Sequence, residues 1–158
     1  MKENFLIGDK MRKKEEKIAF ISMCVDYLHY GHINVILHAK KYGKVVVGLL
    51  TDEAIETYKR KPFCTYEQRK IVLESVKWVD KVIKQDECDF VKTIRKLKPD
   101  YVVNGDDWKT GVQSPVRDRC IETLKEWGGE LIEIPYTKWI SSSKIIEEIH
   151  GEGNNKNI

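Results

Sequence analysis

Apolar runs without polar alternation recur through this chain, at residues 17–25, 45–50, 79–83, 100–104 and 131–134. Val45-Val46-Val47-Gly48-Leu49-Leu50 is the plainest of them. A strand made from it has no face to give to water, and such strands belong in parallel sheets covered on both sides. The intervening segments supply the covering helices. Ile33, Ile36 and Leu37 stand at helical spacing, and Tyr42-Gly43 closes that helix with the glycine expected in the left-handed cap conformation. Thr51 caps a short helix through Glu53-Ala54-Ile55. Thr65 opens another, with Gln68 in capping-box position and Ile71, Val72 and Val76 as its apolar residues. Helices over 90–97, stopped by Pro99, over 115–127, ended by Gly128-Gly129, and over 141–149 complete the set.

This alternation predicts an α/β fold: a Rossmann-like, doubly wound five-stranded parallel sheet with helices on both faces and right-handed crossovers. Such sheets bind ligands at the carboxyl ends of the strands, where the strand order reverses. His29 follows the first strand, Gly105-Asp106-Asp107-Trp108 the fourth and Ser141-Ser142-Ser143 the fifth, so all three are expected on one edge.

At 158 residues the chain is expected to form one domain, over 17–150, with a polar N-terminal extension at 1–16 and a disordered tail at 151–158. Lys10, Arg12, Lys13, Lys14 and Lys17 are interleaved with Glu15 and Glu16, and the net charge is only +3, which argues for a solvated extension and against nucleic-acid binding. Cys24, Cys64, Cys88 and Cys120 are widely spaced with no C-x-x-C pair, so no metal site is expected from them. Residues 1–11 lack a signal-peptide core and no apolar run can span a bilayer, so a cytoplasmic protein with reduced thiols and no membrane partner is expected.

His29-Tyr30-Gly31-His32 carries the chemistry. The two histidines share a face if Tyr30 and Gly31 start a helix, and a helix N-terminus offers free N–H groups and a positive dipole to a phosphate. Neutral imidazoles there can donate to triphosphate oxygens and steady a leaving pyrophosphate. The alternatives are one structural and one surface histidine, or a zinc pair, which lacks further ligands at suitable spacing. Tyr58-Lys59-Arg60-Lys61 is a solvated basic loop or a phosphate contact. Ser141 caps the last helix, leaving Ser142 or Ser143 for phosphate oxygens. Asp106 and Asp107 form a surface turn or touch a nucleotide.

Five ordered blocks resemble the cytidylyltransferase-like nucleotidyltransferase superfamily across nearly all of 17–149. Asp26-Tyr27-Leu28-His29-Tyr30-Gly31-His32 is similar to its D-x-x-H-x-G-H, and Trp139-Ile140-Ser141-Ser142-Ser143-Lys144-Ile145 to its G-I-S-T-T-x-I. Tyr66-Glu67-Gln68-Arg69, Trp78-Val79-Asp80-Lys81-Val82 and Gly105-Asp106-Asp107-Trp108 match in order between them. The resemblance implies that an acceptor phosphate or phosphonate oxygen attacks the α-phosphorus of CTP and displaces pyrophosphate, with Mg2+ bound alongside the triphosphate. It implies catalytic roles for His29, His32 and Lys59. Met23, Cys24, Gly31, Asp106, Asp107, Ser141, Ser142 and Ser143 are implied to bind nucleotide. Asp26, Lys61, Arg69 and Tyr136 are implied to bind substrate, with Asp26 equally open to a structural role and Arg69 to a surface salt bridge. Trp78-Val79-Asp80 matches a block at a dimer interface, so a homodimer is implied.

Departures from the glycerol-phosphate branch leave the acceptor open. Tyr136 stands where that branch has an arginine, and Lys138 is a point charge without an arginine's bidentate fork. Asn104-Gly105-Asp106-Asp107-Trp108-Lys109 and Trp127-Gly128-Gly129-Glu130-Leu131 look like the cytidylyltransferase domains associated with phosphoenolpyruvate mutase, implying a small phosphonate or phosphomonoester such as aminoethylphosphonate, phosphocholine or glycerol phosphate. The alternatives are adenylyl transfer to a sugar phosphate of the heptose type, and a nucleotide-binding module without catalysis.

Overall fold

A computed structural model describes residues 16–111 and 113–153. The apolar runs become strands β1 (Ile18–Met23), β2 (Lys44–Leu50), β3 (Lys81–Gln85), β4 (Tyr101–Gly105) and β5 (Glu130–Ile134). They pair in parallel, in the order β3-β2-β1-β4-β5. The chain therefore winds outward from β1 to one edge, then returns and winds to the other. The helices are α1 (Tyr30–Lys40), α2 (Asp52–Glu56), α3 (Tyr66–Glu74), α4 (Val91–Leu97), α5 (Ser114–Lys125) and α6 (Ser142–Gly153), with a 3-10 turn at Asp106–Lys109.

The continuous runs are explained by two cores. Ala19, Ile21, Val45, Val47 and Leu49 point to one face, where Ile36 and Ala39 of α1 and Leu73 of α3 meet them. Phe20, Val46 and Val102 point to the other, against Ile94 of α4 and Cys120 and Leu124 of α5. Each fully buried aliphatic side chain of this kind stabilises the fold by about 1.5–3 kcal/mol.

Several local expectations are corrected. Strand β1 stops at Met23, because Val25 turns to φ 51. Strand β3 starts at Lys81, because the Val79 N–H closes a turn on the Val76 carbonyl. The Asp80 carboxylate then accepts from the Val45 N–H at 2.7 Å and the Lys40 ammonium at 2.8 Å, and Trp78 packs against the first core. Gly43 does not take the left-handed conformation. A Cβ there would lie 2.1 Å from the Lys17 carbonyl oxygen, so glycine is needed for the close crossing at which the Lys44 N–H bonds Lys17. On α3, Ile71 and Val72 face solvent, and the inward positions belong to Arg69 and Leu73. Helix α5 ends at Lys125, with Gly128 at φ 78 turning the chain. Helix α6 runs three residues, Gly151 to Gly153, into the segment expected as a tail. Residues 154–158, and the N-terminal extension before Glu16, lie outside the described residues. Glu16 itself pairs with Lys44. The four thiols are free, and among the described residues no helix is long and apolar enough to cross a membrane.

Candidate active site

A cavity of about 630 Å³ opens at the carboxyl ends of β1 and β4, where the strand order reverses. The turn after β1, the chain after α2, the 3-10 turn after β4 and the start of α6 wall it.

The histidines cap α1. The His29 Nδ1 accepts the Gly31 N–H at 3.1 Å, and the His32 Nδ1 accepts the His29 N–H at 3.3 Å. This is a capping box built from two imidazoles. With both Nδ1 atoms used as acceptors, each neutral ring carries its proton on Nε2. The rings lie 3.9 Å apart between centroids. Burial lowers the His29 pKa. Burial, then the neighbouring His29 and the Lys59 charge, pushes His32 down to about 3. The cavity thus has two neutral, oriented N–H donors beside the positive end of a helix.

The glycine serves this arrangement directly. A Cβ on Gly31 would lie 2.9 Å from the His29 Cε1 and 3.0 Å from its Nδ1, so it makes room for the His29 ring. Gly31→Ala is expected to swing that ring away and lower turnover about 10²-fold with little change in the urea midpoint. Wild-type turnover in the variant would refute the arrangement.

The lowered pKa values also set a pH dependence. Below pH about 6.5 the unfolded chain takes up protons on these histidines that the folded chain refuses. Stability is complete above that pH and falls as pH drops toward 3, with a slope from His32 approaching about 1.4 kcal/mol per pH unit. Urea unfolding between pH 7.5 and 4.5 reads this slope, and His32→Asn should remove its share.

The turn holding the histidines is tied to the basic segment. Val25, 2% exposed, keeps a left-handed conformation that costs a β-branched residue about 1–3 kcal/mol. It is clamped on both sides. The Cys24 carbonyl accepts from Arg69 Nη1 at 2.6 Å, and the Asp26 carboxylate accepts from Arg60 Nη2 at 2.6 Å and from the N–H groups of Phe63 and Cys64 at 2.7 and 3.1 Å. Asp26 borders the cavity, yet its oxygens hold this segment in place. Lys59 borders the cavity, where its charge adds to the lowering of the His32 pKa and works against the rise that burial causes at Cys24 and Asp107; its Nζ sits 5.3 Å from the Tyr58 ring centroid.

On the β4–β5 side, Asp107, Tyr136, Ser141, Ser142 and Ser143 line the cavity. The Ser141 Oγ accepts the Lys144 N–H at 3.1 Å, so it caps α6, and the Ser142 hydroxyl donates to the Tyr27 carbonyl at 3.4 Å. Burial raises the Asp107 pKa, with Asp106 adding.

Met23, Cys24, Asp26, His29, Gly31, His32 and Lys59 also border this one space. Three expected contacts do not. Asp106 turns away to accept the Tyr136 N–H at 2.9 Å. Lys61 lies outside the lining, its carbonyl held by Arg60 Nη1. Arg69 is 1% exposed and each of its three nitrogens is engaged: Nε donates to the Cys64 carbonyl at 3.1 Å, Nη1 to Cys24, and Nη2 to Asp52 Oδ1 at 2.6 Å. It is a strut behind the wall, because its place on α3 faces the sheet. Sequence reasoning missed Tyr58, Asn104 and Trp108 as lining residues. Trp108 had a signal beside the Asp pair, but its burial and its 2.9 Å bond to Glu133 depend on β5.

Residues 24–148 match the family model described as cytidylyltransferase-like. The glycerol-3-phosphate cytidylyltransferase of Bacillus subtilis is 37% identical over 128 residues, covering 80% of this chain and 92% of that protein. A probable ethanolamine-phosphate cytidylyltransferase of Schizosaccharomyces pombe is 33% identical over 128 residues, and the match spans 80% of this chain but only 34% of that longer protein. The lipopolysaccharide core biosynthesis protein from Thermoplasma volcanium GSS1 shares the fold, with a TM-score of 0.64 at 24% identity over 79% of this chain and 99% of that one. The matched segment holds both histidines, Lys59 and the serines of α6, and on that match the chain belongs to the cytidylyltransferase-like family.

Proposed function

We propose that this chain transfers CMP from CTP to a small phosphorylated acceptor and releases pyrophosphate. The observation that carries this is the pair of neutral Nε2–H donors at the start of α1, faced across one cavity by the Lys59 ammonium. An acceptor oxygen forms a bond to the α-phosphorus, the bond to the β-phosphate bridging oxygen breaks, and that oxygen leaves with the electron pair. Lys59 neutralises charge between acceptor and α-phosphate. His29 and His32 donate to oxygens whose charge grows as pyrophosphate departs. Ser143 and the free N–H groups of α6 take the β- and γ-phosphates, and Asp107 lies toward the ribose.

The carboxylates on the lining suit Mg2+ held chiefly by triphosphate oxygens and water: Asp26 is occupied, and Asp107 and Glu147 are left to reach waters of such an ion. When bound, Mg2+ supplies charge neutralisation on the triphosphate. A phosphomonoester acceptor is supported by the names of the two relatives, and a phosphonate acceptor rests on the resemblance of the Asn104 to Lys109 and Trp127 to Leu131 blocks alone. A homodimer is part of the proposal, supported by exposed Ile71 and Val72 on the helix leading to Trp78; a monomer in analytical ultracentrifugation at micromolar concentration removes that part.

Pyrophosphate release with CTP and with ATP, across phosphomonoesters, phosphonates and sugar phosphates, tests the proposal. CTP should be preferred, and a strong ATP preference replaces it with adenylyl transfer. Tight CTP binding with no turnover on any acceptor leaves a binding module. Lys59→Ala should lower kcat/KM for the acceptor about 10²-fold while CTP binding changes little.

A further inference from the structure

We propose that Gln85 is a positioning residue: its buried amide fixes the Ser22 hydroxyl as a hydrogen-bond donor to an oxygen of a bound substrate. This rests on the cavity being the site of transfer and goes beyond it, since neither residue belongs to the machinery described above.

Ser22 stands near the carboxyl end of β1 and lines the cavity. Side chains alternate along a strand, so Ser22 shares the face of Phe20, toward the second core. Phe90 and Trp108 of that core line the cavity as well. Helix α1, which starts at the histidines, packs on the opposite face. The Ser22 hydroxyl therefore lies across β1 from the imidazole pair, and meets a part of the substrates away from the departing pyrophosphate.

Gln85 ends β3, with β2 between it and β1. The way across is open because Gly48, paired with Ser22 in the ladder, has no side chain. A Cβ there would lie 2.5 Å from the Gln85 Oε1 and 2.6 Å from the Phe20 Cζ. Over that gap the Gln85 Nε2 donates to the Ser22 Oγ and to the Glu87 carbonyl, both at 2.9 Å. Two acceptors decide which way round the amide sits, because a flipped amide would set Oε1 against the Glu87 carbonyl. The Ser22 oxygen is thus an acceptor toward Gln85, and it keeps its own proton. Among the described residues no group takes that proton.

The amide is costly where it stands. Gln85 is 1% exposed, and its Oε1 has no partner among the described residues. A buried acceptor left unpaired is destabilising, and a methionine would fill similar space without one. Stability alone does not account for a glutamine here, whereas orienting a hydroxyl at the cavity wall does.

Steady-state kinetics of the whole chain at pH 7.5, with CTP and the acceptor it turns over fastest, test this. Ser22→Ala should raise the KM of one substrate about fivefold and leave kcat within twofold. Ser22→Thr keeps a hydroxyl and should stay within twofold of wild type; a loss equal to that of alanine overturns the inference. Gln85→Met should raise the same KM about threefold, and should raise it no further in a Ser22→Ala background. If the methionine variant fails to fold, Gln85→Leu reads the same cycle. An amide that only supports the fold would cost as much in both backgrounds, and that result overturns the inference, as do unchanged KM values in Ser22→Ala. A rise in the KM for CTP puts the accepting oxygen on the nucleotide and a rise for the acceptor puts it there; either upholds the donor. No turnover by the unaltered chain on any acceptor overturns the proposed function and this inference with it.

Discussion

His32→Ala is expected to lower kcat about 10²- to 10³-fold while the KM for CTP moves only a few-fold. The His32 ring is fixed before substrate arrives: its Nδ1 is held by the His29 N–H at 3.3 Å, and its pKa near 3 keeps the ring neutral throughout the ordinary working range. Its Nε2–H is therefore a preoriented donor, and such a donor is worth most where charge develops, on the departing pyrophosphate. The substitution also removes half of the α1 capping box, at about 1 kcal/mol of stability. Two further variants separate the effects. His32→Asn keeps an acceptor near the Nδ1 position and should recover stability without turnover. His32→Gln keeps a donor near the Nε2 position and should recover part of the turnover. Steady-state kinetics with urea denaturation on all three reads both, and a kcat within tenfold of wild type for the alanine variant sinks the role.

Arg69→Met is expected to destabilise the fold by about 3–5 kcal/mol. The side chain is 1% exposed, and its loss strands the Cys24 and Cys64 carbonyls and the Asp52 carboxylate together. Arg69→Lys should recover little, since an ammonium is a point charge that cannot reproduce a planar fork serving three separated acceptors. The same loss releases the clamp on Cys24 that helps hold Val25 left-handed, so the histidine turn should loosen before the sheet does. Urea midpoints check the magnitude. If Arg69→Lys is as stable as wild type and only its acceptor KM rises, the residue binds substrate after all.

The two substitutions mark the boundary of what was legible in the chain. The capping residues of α1 stand within three positions of one another, so His29 and His32 were identifiable from local spacing, and both lie inside the segment that matches the family model. Arg69 was misread as a substrate contact because its partner at Cys24 is 45 residues away and nothing near it in sequence announces the contact. For Asp26 a structural role was open from the start, and its partner Arg60, 34 residues away, is what decides it. Ile71 and Val72 look like core residues by letter, yet α3 turns them outward and buries an arginine. Gly43 and Gly31 are required for close contacts with Lys17 and with the His29 ring, neither of which a glycine's identity reveals.

By itself the sequence determined the layer architecture and the edge of the sheet at which chemistry gathers. Hydrophobic burial acts on whole runs of residues, and a run that is apolar at every position has one outcome, a strand covered on both sides. Only the tertiary structure decided which polar groups face the cavity and which hold up its walls. Buried polar atoms must find partners wherever the fold brings them, and those partners come from segments far apart in the chain. By that rule the lysine beside the histidines is Lys59, Arg69 stands behind the wall, and the neutral imidazole pair points its Nε2 protons into the site.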